Sequence, residues 1–394
     1  MFAPASAGTQ DFSLVLGGPL YQMFRRAHLS GPVLEQLGRR IWVLTLVAWL
    51  PLLLLTLASG QTWGPPSALP FLRDIEAQVR LLIALPVLIA AELVVHVRTR
   101  SVVAQFLDRG IVRPADAGRF DQLIGSAMRI RDSIPLEIGL VVLVATVGHW
   151  IWRSSLAFGA PSWYATPEGG RMELSLAGMW YAAVSLPITQ FILLRWYLRL
   201  LIWFRFLWQV SRMDLHLVAT HPDRAAGLSF LGKSTYAFGP FLFAQGALLS
   251  GLIATRVLYG GQSLTSFKMD AIGLIGFFVL VLLGPLTVFT PRLAEAKRAA
   301  LARYGKLASE YVGAFEEKWI RRRGAEEQLL GTADIQSLAD LEGSYSIIRE
   351  MRVVPFGGQD ISRLVVVTAL PLLPLALTIF SFEELVLRLL KIVF

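Results

Sequence analysis

Glu92, His96, Glu137 and Arg195 stand inside or at the edge of long apolar runs, where an ionisable side chain is costly and usually faces a protein interior or water. Glu92 lies near the inner end of the second run, Glu137 near that of the third and Arg195 near that of the fourth. The three therefore share one depth. His96 follows Glu92 by one helical turn, which puts both on the same helix face. Side chains of these types at membrane depth build ion or proton paths. The same set also makes an interior salt bridge, or snorkels to the nearby boundary, so both roles stand open at this stage.

Arg195, Arg199, Arg205 and Arg212 share a stretch rich in Trp and Phe that continues the fourth run as a helix. Their uneven spacing lacks the every-third-residue register of a voltage sensor. Basic residues interleaved with aromatics suit a membrane boundary, so contact with anionic lipid is expected for Arg199, Arg205 and Arg212. The alternative is that they draw anions into an inner vestibule. Gln190 and Gln245 within the runs, and Arg256 towards the outer side, are compatible with a hydrated interior.

Two further patterns fail on context. Gly227 to Ser234 reads Gly-Leu-Ser-Phe-Leu-Gly-Lys-Ser, letter for letter a phosphate-binding loop, but that loop needs a buried strand before it and a soluble helix after it. Here His221-Pro222-Asp223-Arg224 precedes it and an apolar run follows. Asp214, His216, His221 and Asp223 crowd into ten residues without the spacing of a metal site. A turn in which Asp223 caps local amides is the simpler expectation. The chain has no Cys, which excludes disulfides and thiolate chemistry. No paired aspartates, serine with histidine, or zinc motif sits at a plausible depth, so neither an enzymatic activity nor a cofactor is expected.

The elements that position these residues are membrane spans. With 55% hydrophobic and 16% charged residues, the composition is that of a bilayer protein, and runs of roughly 20 apolar residues argue for helices that satisfy their own backbone. The expected spans cover about 41–59, 81–97, 134–152, 179–194, 238–257, 271–290 and 364–381. Lys and Arg number 4 before the first span, 7 in 98–133, 6 in 195–237 and 12 in 291–363, of 37 in all. That sidedness puts the N-terminus and the large loops in the cytoplasm. It also explains the formal charge of +9 better than nucleic acid does, since the basic residues form no single patch. No cleavable signal sequence opens the chain. A multi-pass protein of a bacterial inner membrane is the expected setting. The outward segment 153–178, with Pro161, Pro167, Gly169 and Gly170, reads as irregular loop. The rings of Trp150, Trp152, Trp163, Trp180 and Tyr181 around it are expected in a headgroup belt.

Residues 291–363 form the one sizeable soluble region. Pro291 suits a first helical turn, and Leu301, Tyr304, Ala308, Tyr311, Phe315 and Trp319 recur on one face. Arg321-Arg322-Arg323-Gly324 marks its stop. A second helix is expected from about Asp334 to Arg352. The stripe carrying Tyr304, Tyr311, Phe315 and Trp319 packs either on that helix or on another copy or partner. Pro371 and Pro374 make the last run a kinked span or a re-entrant hairpin, internal to the bundle. An amphipathic tail bearing Glu383, Glu384, Arg388 and Lys391 follows.

The segments His221-Pro222-Asp223 to Gly227-Leu228, Asp334-Ile335-Gln336-Ser337-Leu338-Ala339-Asp340-Leu341, and Pro371 to Pro374 resemble pieces of an uncharacterised family of bacterial multi-span membrane proteins, mainly in the C-terminal half. The resemblance brings no substrate, cofactor or site residue. The expectation is thus an all-α polytopic transmembrane helical bundle of about seven spans, six plus a kinked or re-entrant C-terminal segment. Its parts are a membrane domain over 1–290, a cytoplasmic helical region over 291–363 and a last span with its tail over 364–394. The expected activity is that of a homo-oligomeric channel or transporter for a small ion or solute. The alternative is a non-transporting scaffold or sensor that recruits a partner through the cytoplasmic helices.

Overall fold

The computed structural model describes residues 12–27, 36–63, 69–156, 162–168, 171–321 and 333–378. Over these residues the protein is all-α apart from one short hairpin, and seven helices are long and apolar enough to cross a bilayer. They run Leu37–Ala58, Ile75–Asp108, Ile134–Trp152, Leu176–Ser211, Phe230–Leu258, Leu264–Arg321 and Gly358–Ala376. Each contains or closely overlaps a span expected from hydropathy, but the second, fourth, fifth and sixth continue well past it. Helices carry their hydrogen bonds internally, so polar sequence at the bilayer edge extends them freely.

Prolines set the bends. Pro51 lies inside the first span and cannot donate to Val47, four residues earlier. The Val47 carbonyl instead accepts from Trp180 Nε1 at 3.3 Å, and the Ala48 carbonyl next to it accepts from Ser185 Oγ at 2.6 Å. Ahead of Pro86 and Pro187 the helix widens into a π-helical turn, at Arg80–Ala84 and Tyr181–Ser185. Such a turn absorbs the missing donor without breaking the span. The seventh span is an α-helix over Gly358–Ala369 that tightens to 3-10 geometry from Leu370 as Pro371 and Pro374 intervene. Over the described residues it is one bent element and not a hairpin; the tail lies outside them.

The fifth span is the packing axis. Its Gly246 presses against the seventh span so closely that a Cβ would meet the Thr368 carbonyl oxygen at 2.1 Å. Its Gly251 does the same for the second span, 3.1 Å from Val79 Cβ. Small residues at such crossings let backbones approach where no hydrophobic force drives helices together. At one end of the bundle Phe12, Phe106, Phe120, Trp203, Phe206 and Phe230 form a buried aromatic chain with centroids 5.1–6.0 Å apart.

Segment 153–178 departs from an irregular loop. Ala165–Glu168 and Arg171–Leu174 pair as an antiparallel hairpin, with Ala165 opposite Leu174. Trp163 and Tyr181 do not join a headgroup belt but are buried, Trp163 donating to Asp74 Oδ2 at 2.9 Å and Tyr181 bonded to Arg80. Their polar tips have partners inside, which removes the reason to sit at the interface. Trp150 stays exposed.

Past its apolar stretch the sixth span continues to Arg321, and Ala333–Glu350 packs back along it. The expected stop at Arg322, Arg323 and Gly324 falls outside the described residues. Leu293, Ala300, Ile348 and Met351 share the main core, and Lys297 Nζ donates to the Met351 carbonyl at 2.7 Å. The inner part of this region is therefore continuous with the membrane bundle.

Candidate functional site

The ionisable residues singled out by depth meet in one cluster. Glu92 of the second span accepts from Arg40 of the first span and, at 2.6 Å, from Arg199 of the fourth. Arg195, one turn before Arg199, lies 3.5 Å from Glu137 of the third span. Arg195 feels both carboxylates as well as the like charges of Arg199 and Arg40. All five side chains are buried. Helical spacing explains the grouping, since Arg195 and Arg199 stack on one face and each finds the glutamate at its own level. Three guanidiniums against two carboxylates leave one positive charge in excess. Arg40 Nε, Arg199 Nε and Arg199 Nη1 have no hydrogen-bond acceptor among the described residues. The Arg199 guanidinium instead lies over the Trp196 ring at 4.7 Å, which offsets part of its desolvation.

A strap of chain closes the cluster. Phe12 to Val15 are buried, and Gly17-Gly18-Pro19 turns into a short helix, Pro19–Arg26. Gly18 takes a positive φ of 85°, and a Cβ there would meet Glu137 Oε1 at 3.0 Å. The turn therefore needs glycine. It aims the first amide of the helix, Leu20 N–H, at Glu137 Oε2 at 2.8 Å, where the positive end of the helix favours a carboxylate. Ser13 Oγ sits 2.9 Å from His96 Nδ1, and Arg131 Nη1 donates to the Ser13 carbonyl at 2.5 Å.

Glu92, His96, Glu137 and Arg195 thus occupy one region, but His96 contacts the strap while Glu92 turns to the arginines. Arg199 is not a lipid contact: it is buried on Glu92, because its face of the helix looks into the bundle. Arg205 and Arg212 are exposed, and Arg212 lies over Trp208 at 5.2 Å. Arg40 and the strap escaped the sequence reading. Nothing in the sequence sets Arg40 apart from the other cations ahead of the first span. Gly17-Gly18-Pro19 was the available signal for a built turn, since Pro at the first helical position after glycine starts a helix.

A second polar cluster lies towards the other end of the spans. Asp74 caps Ile75–Val79 through Ala77 N–H at 3.0 Å while also accepting from Trp163. Burial pushes its carboxyl above the ordinary value, against the hydrogen bonds from Trp163 and Ala77. Arg80 bridges Glu76 and Tyr181. These residues lock the second, fourth and fifth spans, since Glu76 N–H also donates to Thr255 Oγ1 at 3.0 Å.

The His and Asp loop is a turn built on Asp223. Asp223 accepts from the amides of Ala225, Gly227 and Ser229 at 2.8, 3.1 and 3.1 Å. Burial works to raise its carboxyl, but those amides win and hold it below the ordinary range. Asp214 pairs with Arg113 at 2.9 Å. Among the described residues no group of three His, Asp or Glu side chains is arranged to hold a metal. No strand precedes Gly227, and the stretch to Ser234 coils directly into the fifth span. The stripe of the long helix faces its neighbour in the same subunit. Tyr304 packs on the core, Tyr311 OH donates to the Asp334 carbonyl at 3.1 Å, Phe315 is half-buried, and buried Trp319 donates to Asp334 Oδ2 at 3.0 Å.

Comparison with known protein families, with curated proteins and with solved structures gives no match.

Proposed function

We propose that this chain is an integral membrane channel or transporter that moves a small ion or solute, and that the five-charge cluster is the barrier at the inner end of its path. One observation carries the reading: three arginines and two glutamates from four spans are buried together with one positive charge in excess. A cluster built only to hold helices together would balance its charges, because an uncompensated buried charge is strongly destabilising. An anion supplies the missing balance, so an anionic species fits this barrier better than a cation. The strap from Phe12 to Leu20 then acts as the plug of the closed state. In this reading copies of the chain assemble in a bacterial inner membrane with the basic loops cytoplasmic, as positive-inside bias argues. The scaffold alternative loses much of the surface it relied on, since the stripe of Tyr304, Tyr311, Phe315 and Trp319 is turned onto Ala333–Glu350.

The test is flux into liposomes carrying the full chain. Chloride or small-anion uptake should exceed that of potassium, and Arg199→Gln should reduce it. Absence of flux for every ion and solute under both pH and voltage gradients would remove transport as the function.

A further inference from the structure

A second charged feature lies outside this cluster, where the basic ends of the second, fifth and seventh spans meet. Arg98 of the second span, Arg109 just past its end and Lys233 of the fifth line a groove of about 360 Å³, with Ser101 and Phe230 between them. Arg98 also borders an adjoining groove of about 350 Å³, whose other rim is Arg363. The guanidiniums of Arg109 and Arg363 are steered by rings, 5.1 Å from Phe230 and 4.8 Å from Tyr236. Arg98, Arg109, Lys233 and Arg363 are all exposed, and none makes an ion pair with a described carboxylate. Asp360 of the seventh span is committed to the Tyr236 hydroxyl and the Gly357 amide. Beside this cationic rim the walls turn apolar within one helical turn: Val97 adjoins Arg98, and Val366 and Val367 come three and four residues after Arg363. Val97 and Val366 are exposed, as acyl-facing side chains are.

We infer that this double groove is a binding site for an anionic phospholipid, with its phosphate held by Arg98, Arg109 and Lys233 and its acyl chains against Val97 and Val366. The occupant follows from two gradients that coincide. Positive charge without counter-charge selects a phosphate, and the immediate change to apolar wall at the ends of three spans selects one attached to hydrocarbon. Basic pockets between spans are known to take headgroups of this kind. A free phosphate would satisfy the rim and leave the valines in water. Lys233 thereby receives a role that its phosphate-loop letters suggested for the wrong ligand: phosphate recognition by a point charge, without a nucleotide fold. The inference requires only that the bundle sits in a bilayer, and holds whether or not the chain transports anything.

The experiment follows the thermal-unfolding midpoint of the detergent-purified full chain during titration with short-chain phosphatidylglycerol, short-chain phosphatidylcholine or inorganic phosphate. Phosphatidylglycerol should raise the midpoint at concentrations at least tenfold below those of the other two. With each interfacial cation worth about 1 kcal/mol, Arg98→Gln, Arg109→Gln and Lys233→Gln together should weaken half-saturation on the order of a hundredfold. Arg303→Gln with Lys306→Gln, exposed on the long sixth helix and outside both grooves, should leave it unchanged. If the triple variant does not fold, the exposed single site decides: Lys233→Gln should weaken binding several-fold and Lys233→Arg should restore it. Equal response to the two lipids, inorganic phosphate matching phosphatidylglycerol, or retained affinity in the charge-removed variants would overturn the assignment.

Discussion

At the residue scale the molecule is organised by carboxylates that serve several donors at once. Glu92 carries two arginines, whereas each arginine has one carboxylate partner. This asymmetry orders the mutations. Glu92→Gln leaves Arg40 and Arg199 both buried and uncompensated, and should cost on the order of 3–5 kcal/mol. Arg199→Leu leaves Glu92 still paired to Arg40 and removes an excess charge, so it should cost clearly less. Thermal midpoints of the two purified variants check the order, and a reversed order would refute the asymmetry. Asp223 gives a pH test. Its folded carboxyl is held below the ordinary value, so its stabilisation is complete above the unfolded value of about 4 and is lost as pH falls through the lower folded value. Wild-type stability should therefore drop more steeply below about pH 4 than that of Asp223→Asn. The midpoint measured from pH 7 to pH 3 reads this directly. Of these residues Glu92, Glu137 and Arg195 were legible because charge inside hydropathy is conspicuous. Arg40 was not: a cation at the start of a span looks the same in sequence whether it snorkels outward or turns inward.

At the scale of elements, periodicity and composition found every span, but not the distances between them. Hydropathy marks the apolar middle of a helix and says nothing about the polar turns that continue it, which is why Leu176–Ser211 and Phe230–Leu258 outrun their apolar runs. Nor does it reveal crossings. Gly246 is one of 33 glycines, and only the fold shows that a backbone carbonyl lies where its Cβ would be. Gly246→Val should push the seventh span off the fifth and lower the thermal midpoint sharply. Gly251→Ala, facing Val79 Cβ at 3.1 Å, should be milder because that contact needs a shift of only tenths of an ångström, whereas the 2.1 Å approach at Gly246 forces the backbones apart. Equal effects would show that the two crossings are not as different as their distances. The aromatic stripe of the long helix leaves its cover open in sequence between the following helix and another copy or partner, and the fold turns it onto Ala333–Glu350. Short amphipathic faces bury locally when a partner follows in sequence. Trp319→Ala should release that end of the pair, read as faster hydrogen exchange across 333–350 with the spans unaffected.

At the scale of the whole molecule the bias of Lys and Arg yields an orientation that labelling can test. Single cysteines introduced into this cysteine-free chain at Leu307 and Val312 should be reached by a membrane-impermeant thiol reagent from the same side as Met23, and from the side opposite Met269. All four positions are exposed. Labelling of 307 and 269 from one side would invert or break the map. The hairpin near Trp163 and the strap at Phe12 were the least legible parts, because each depends on contacts far away in sequence: Leu69 for the hairpin, His96 and Glu137 for the strap. The sixth span carries one more consequence. It is helical from Leu264 to Arg321, and the stretch past Phe289 projects roughly 50 Å at 1.5 Å per residue, so a lean of about 10° inside the bilayer displaces its far end by about 8 Å. Motion too small to see among the packed spans is thus magnified into a swing that a pair of spin labels on this arm would register.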